Sequence, residues 1–132
     1  MVDVPRYREE LSCDCPTPGA EEIRSARVLY RMIKGPVPTE RDFDSFRKRN
    51  PNRALLETSK LECFYRGLSL FIDAETARIR TQRRMSKYRI CKVSLQKGAG
   101  MLFQAGEQDG HFTWWPYSDF KILDYCEVVQ DV

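Results

Sequence analysis

The only histidine of this chain, His111, opens a segment rich in aromatic residues, His-Phe-Thr-Trp-Trp at positions 111–115. Imidazole is the side chain that titrates closest to neutral pH, so His111 is a candidate general base. Strand alternation places His111, Thr113 and Trp115 on one face. One face could then fill the core while the other lines a groove in which a ring stacks on a nucleotide base. The alternative is a hydrogen-bonded strand histidine beside two core tryptophans.

A second group of candidates is basic. Residues 76–106 contain eight Lys and Arg and no Asp or Glu, whereas residues 107–132 contain one basic and six acidic residues. Such a basic segment could bind phosphates or an acidic protein, or it could be a solvated helix face. The formal charge of the whole chain is only +3, which makes a long nucleic acid possible but not the favoured partner. At helical spacing, four cations share the proposed anion-binding face: Arg80, Arg83, Arg84 and Lys87.

The cysteines bear on metals and on redox compartment. Cys13 and Cys15 could be half of a zinc site, but no second pair with metal-ligand spacing follows, so we expect no metal. There are five cysteines, and the N-terminus lacks the basic and apolar regions of a secretory signal. These two observations predict free thiols in a cytoplasmic protein. No apolar run approaches the roughly 18 residues that a membrane helix needs.

The elements that must position these residues follow from hydrophobic periodicity and capping signals. We predict helices from Thr39 to about Arg49, over 53–66 and over 74–87. We predict strands over 27–33, 68–72, 88–95, 101–105, 111–115 and 122–129. The order β-α-α-β-α-β-β-β-β gathers the strands in the second half, which is typical of an α+β fold with a mainly antiparallel, curved sheet and helices packed on it. Residues 1–24, rich in Pro and acidic residues, are expected to form an N-terminal arm before a single domain over 25–132.

Three short motifs follow one another in the first two thirds of the chain. Leu-Tyr-Arg ends at Arg31 in the predicted first strand, Gly-Leu-Ser-Leu-Phe contains Ser69, and Asp73-x-x-x-Ala77 begins the following helix. This order of motifs resembles the front half of the ADP-ribosyltransferase fold. The likeness covers about residues 27–95. The chain is also similar to small bacterial proteins with a Leu-Tyr-Arg-Met-Ile opening, a likeness that implies no chemistry of its own.

The resemblance implies a site for NAD. Arg31 would hold the phosphates or ribose of NAD, and Ser69 would lie near the nicotinamide ribose, roles that suit an arginine fork and a hydroxyl. Transferases of this fold present a catalytic Glu from a late strand. Here Glu127 occupies the last strand but stands in no E-x-E pattern, so His111 and Glu127 are the acid–base candidates. The implied activity is ADP-ribosyl transfer or NAD glycohydrolysis, and the missing E-x-E pattern is what a divergent or inactive member would show.

Two non-enzymatic functions remain open at this point. One is a binding module that docks a nucleotide, a nucleic acid or an acidic protein through the basic helix 74–87. The other is an interaction protein that uses the N-terminal arm on a partner or in a homodimer. The enzyme hypothesis differs from both because it requires Arg31, Ser69 and an acid–base residue to meet in one cleft.

Overall fold

An open antiparallel sheet forms the centre of the molecule. The computed structural model describes residues 6–12, 14–81, 88–104 and 110–131. Within these residues, seven strands pair in the order β1-β5-β6-β3-β2-β4-β7, and each neighbouring pair is antiparallel. Three α-helices accompany the sheet in this part of the chain. The predicted α+β, single-domain fold is therefore confirmed.

One strand and one strand boundary differ from expectation. Strand β1 lies in the N-terminal arm and pairs Glu21 with Leu102, although two exposed glutamates carry no strand pattern. The last strand begins four residues later than predicted, because Ile122–Tyr125 form a 3-10 turn first. The strands are β1 Glu21–Glu22, β2 Arg27–Ile33, β3 Leu68–Phe71, β4 Arg89–Leu95, β5 Gly100–Gln104, β6 His111–Pro116 and β7 Cys126–Asp131.

The helices are α1 Phe46–Arg49, α2 Ser59–Tyr65 and α3 Ala74–Thr81. The first two begin later than predicted, because a side-chain hydroxyl caps the N-terminus of each. Ser45 Oγ accepts a hydrogen bond from the Lys48 amide, and Thr58 Oγ1 accepts one from the Leu61 amide. The residues before α1, Glu40–Phe43, form a separate 3-10 turn. The remainder of the third predicted helix, 82–87, lies outside the described residues.

The sheet is covered on both faces. One face carries the main hydrophobic core, in which Leu29, Leu70, Val93 and Trp114 are buried. The opposite face carries Trp115, whose indole Nε1 donates a hydrogen bond to the carbonyl of Cys63 in α2 at 3.0 Å. This second face matters for function because α2 is fixed against β6 there.

The N-terminal arm lies against the domain through residues 6–24, apart from residue 13, which is not described. Its backbone bonds to the end of β6, where the Arg8 amide donates to the Pro116 carbonyl at 2.8 Å. Cys15 and Cys63 form a disulfide with a Cα–Cα distance of 5.3 Å. The prediction of free thiols is wrong for these two residues, since docking of the arm brings Cys15 against α2.

No helix in the described ranges has the length and apolar character needed to cross a membrane.

Candidate functional site

Arg31 occupies a gap where β2 and β3 separate. The described register between these strands consists of a single pair, Tyr30 with Phe71. Beside it, Arg31 Nη1 donates to the backbone carbonyl of Ser69 and Nε donates to that of Asp42, both at 2.9 Å. The guanidinium therefore takes the place of a backbone N–H donor to β3, and its two hydrogen bonds fix its position.

Ser69 and His111 meet on the neighbouring pair of strands. Ser69 pairs with Thr113 and Phe71 pairs with His111 in the β3–β6 ladder, so these side chains share a face. His111 Nε2 lies 3.1 Å from Ser69 Oγ, within hydrogen-bond distance. The His111 ring also packs against Phe71 with centroids 5.4 Å apart. A hydroxyl and an imidazole are thus in contact at Ser69, the residue whose backbone carbonyl Arg31 binds.

These three side chains line one pocket. Its volume is about 470 Å³, within the usual range for small-molecule sites. Thr113 and Gly67 complete the side formed by the sheet. The geometric condition set by the enzyme hypothesis, that Arg31, Ser69 and an acid–base residue share a cleft, is met by His111.

Helices α1 and α2 form the other walls. Phe46 and Arg49 come from α1, and Phe64 and Tyr65 come from α2. The rings of Phe46 and Tyr65 contact each other edge to face, with centroids 4.5 Å apart. The walls therefore offer flat apolar surface against which a planar ring could stack.

The N-terminal arm fixes the start of α1. Both carboxylate oxygens of Glu9 accept hydrogen bonds from Ser45, one from its amide at 2.8 Å and one from its hydroxyl at 2.5 Å. Arg66, directly after α2, donates to the carbonyl of Glu10 at 3.1 Å. Glu9 therefore fixes the start of α1, and Glu10 binds the residue that follows α2.

The charge of Arg31 has no carboxylate partner among the described residues. Its side chain is buried, and both of its described hydrogen bonds go to backbone carbonyls. The Asp42 carboxylate is engaged elsewhere, because it accepts from the amide and hydroxyl of Thr39. Burial, followed by repulsion from Arg49, lowers the pKa of Arg31 to about 10, so the guanidinium stays charged at neutral pH. The Asp42 carboxylate opposes this pKa shift through its charge but makes no described ion pair with Arg31. Burial of a cation that lacks a directly bonded anion is costly, and a bound anion would reduce that cost.

The other predicted site residues lie elsewhere. Glu127 is on β7, which is separated from β3 by β2 and β4, and its carboxylate bonds Lys92 Nζ at 3.1 Å. The structure does not bring Glu127 to the pocket. Arg80 belongs to α3, but its side chain is outside the described part of the chain, and so are Arg83, Arg84 and Lys87.

Sequence reasoning missed most of the wall residues. Arg49 and Tyr65 stand near the ends of predicted helices, where nothing in the periodicity points to a pocket. Phe46 and Phe64 lie within the predicted helices, whose pattern gives no sign of a pocket. Only the fold shows that Arg49 differs from the two cations before it, which have acidic partners.

The described residues contain no group of three or more His, Cys, Asp or Glu arranged to hold a metal ion. No protein-family model, curated protein or solved structure matches the chain. The chemistry of the pocket is therefore inferred from its own residues: a buried arginine bonded to backbone carbonyls, a serine–histidine contact and aromatic walls.

Proposed function

We propose that this protein binds NAD in the pocket between β2, β3, α1 and α2 and hydrolyses the bond between nicotinamide and ribose. The observation that carries the proposal is the buried guanidinium of Arg31, which lines an aromatic pocket without a carboxylate partner among the described residues. A nucleotide supplies both complements, since its phosphates are anionic and its rings are planar. The motif resemblance selects NAD among nucleotides.

Each side chain has a stated role in this proposal. Arg31 attracts the phosphates or ribose of NAD, and the Ser69 hydroxyl, held by His111, orients the ribose. Phe64 and Tyr65 offer surface for the ring. The glycosidic bond breaks with its electron pair leaving on nicotinamide, water adds to the ribose carbon, and His111 accepts the proton that this water loses.

Hydrolysis is favoured over transfer to a larger acceptor by the composition of the pocket. None of its described lining residues is acidic, so no carboxylate is available there to activate an acceptor in the manner of the transferases. Water needs only a base, and His111 is the titratable lining residue that can accept a proton near neutral pH.

The direct test is incubation with NAD, with nicotinamide release measured by chromatography and NAD binding measured by thermal shift. We expect release by the wild-type chain. We expect His111→Gln to abolish release while keeping the thermal shift, and Ser69→Ala to reduce release more than binding. Both positions tolerate change better than Arg31, whose bonds hold two strands and a turn together.

Two results would reject this function in different ways. A thermal shift without nicotinamide release would leave a non-catalytic nucleotide-binding module. Neither a shift nor release would remove NAD altogether. Release that persists unchanged in His111→Gln would reject the assigned role of that residue.

A further inference from the structure

The three consecutive cations of α1 differ in their partners. Arg47 is bonded to the Glu62 carboxylate, and Lys48 Nζ lies 3.2 Å from an Asp44 carboxylate oxygen. The Arg49 side chain makes no ion pair or hydrogen bond with the described residues. It is exposed and lines the pocket. Among the described residues, acidic side chains neutralise Arg47 and Lys48, whereas Arg49 has no acidic partner.

Arg49 shares the pocket with a second guanidinium that has no ion pair among the described residues, that of Arg31. The two positive charges repel each other, and none of the described lining residues is acidic. Repulsion by Arg49 is, after burial, the next largest influence that lowers the pKa of Arg31, and Asp42 opposes it in part. A ligand that brings more than one negative charge would relieve this repulsion.

We infer that Arg31 and Arg49 form a subsite for two linked phosphates, so that the pocket prefers ligands with a diphosphate to ligands with a single phosphate. This deepens the proposed function and rests on it for the identity of the rest of the ligand. The guanidinium groups differ in a way that suits a pyrophosphate. Arg31 is fixed by its two carbonyl bonds, whereas the Arg49 side chain is exposed and has no such bonds among the described residues, so it can adjust to the second phosphate.

The subsite also explains how one pocket can serve a long ligand. Arg31 lies beside Ser69 at the sheet, and Arg49 lies at the end of α1, so the pair leads from the serine–histidine contact towards solvent. A ligand whose pyrophosphate bridges the two arginines can place one ring inside the pocket and leave the other outside. A nucleoside monophosphate would engage only one of the two cations.

The test uses inorganic pyrophosphate and orthophosphate as probes, with binding measured by titration calorimetry. We expect the wild-type chain to bind pyrophosphate more tightly than orthophosphate by at least about tenfold, as loss of one charged hydrogen bond would predict. Arg49→Gln should lose that preference. Lys48→Gln is the matched control. It removes the same charge from the preceding position of the same helix, and Lys48 is not part of the pocket lining.

Several outcomes would overturn the inference. They are equal affinity of the wild-type chain for the two anions, no detectable pyrophosphate binding, an Arg49→Gln variant that keeps the preference, or an equal loss in Lys48→Gln. The proposed function fails separately. If pyrophosphate binds through Arg49 but NAD neither binds nor competes, the subsite stands and NAD is the wrong ligand. If NAD is cleaved but Arg49→Gln behaves as wild type, the proposed function stands and the phosphate subsite is rejected.

Discussion

Arg47 binds Glu62 through two hydrogen bonds, with Nε donating to Oε2 at 2.7 Å and Nη2 donating to Oε1 at 2.6 Å. Arg66 Nε donates to the same Oε2 at 2.9 Å, and Glu62 is buried beneath the two arginines. This cluster joins α1 to α2 away from the pocket lining. The two helices that form the pocket walls are therefore held together by charged residues that are not part of the pocket lining.

The Glu62 cluster predicts a loss of stability in acid. The hydrogen bond from Arg47 lowers the pKa of Glu62 from 4.5 to about 2. Because the unfolded chain takes up this proton more readily than the folded one, the contribution is complete above pH 4.5 and is lost as the pH falls towards 2. We expect Glu62→Gln to be less stable than wild type at neutral pH and to lose less stability on acidification. Urea unfolding across this range measures both, and parallel pH profiles would contradict the prediction.

The disulfide between Cys15 and Cys63 should contribute substantially to stability. It closes a loop with a sequence separation of 48, for which loop-closure entropy gives about 4 kcal/mol. We expect the double variant Cys15→Ser, Cys63→Ser to unfold at lower denaturant concentration and its N-terminal arm to be cleaved faster by protease. Cys126→Ser is the control, since Cys126 is a free, partly exposed thiol. Equal protease rates in the two variants would show that hydrogen bonds alone hold the arm.

Gly67 is required by close packing where α2 enters β3. A Cβ at this position would lie 2.4 Å from Thr113 Cγ2 and 3.0 Å from the Trp115 indole nitrogen. We expect Gly67→Ala to cost about 1–3 kcal/mol of unfolding free energy, as overpacking does, and to weaken ligand binding because Gly67 and Thr113 line the pocket. Gly35→Ala is the control, since its Cβ would meet only the Val37 carbonyl at 3.4 Å. Similar stabilities for the two variants would contradict this account.

Glu9 and Glu10 offer a matched pair for testing whether the arm shapes the pocket. The Glu9 carboxylate accepts both Ser45 bonds at the start of α1, whereas Glu10 contributes only its backbone carbonyl to the described contacts. We expect Glu9→Ala to reduce stability by about 1–3 kcal/mol, the cost of leaving buried donors unpaired, and to weaken binding at the pocket. Glu10→Ala should do neither. Thermal unfolding and pyrophosphate titration distinguish the two, and identical behaviour would separate the arm from the pocket.

The fold class could be predicted because the strands carry their own pattern. In β2, alternation places Leu29, Arg31 and Ile33 on one face, and all three are buried. The register could not be predicted, since it depends on pairings such as Tyr30 with Phe71 between distant segments. Hydrophobic periodicity also could not locate the helix N-termini, because each is set by a single capping hydrogen bond, from Ser45 or from Thr58.

The candidate site was predictable only where a motif fell on a strand. Arg31 and Ser69 came from the resemblance and His111 from its residue type, and the structure places them together. Arg49 and the aromatic walls depend on where short helices dock on the sheet. That docking depends on buried charged residues such as Glu62. A glutamate is expected to be exposed from its residue type alone.

The hydrogen bonds of the arm join residues that are far apart in the chain. Arg8 donates to the carbonyls of Phe43 and Pro116, and Glu9 binds Ser45. A ribosome exposes the arm long before β6 exists, so it cannot reach its final position until nearly the whole sheet has been synthesised. Contacts of such long sequence separation form slowly. The walls of the pocket should therefore be completed late in folding, after the strands that carry Arg31, Ser69 and His111 have paired.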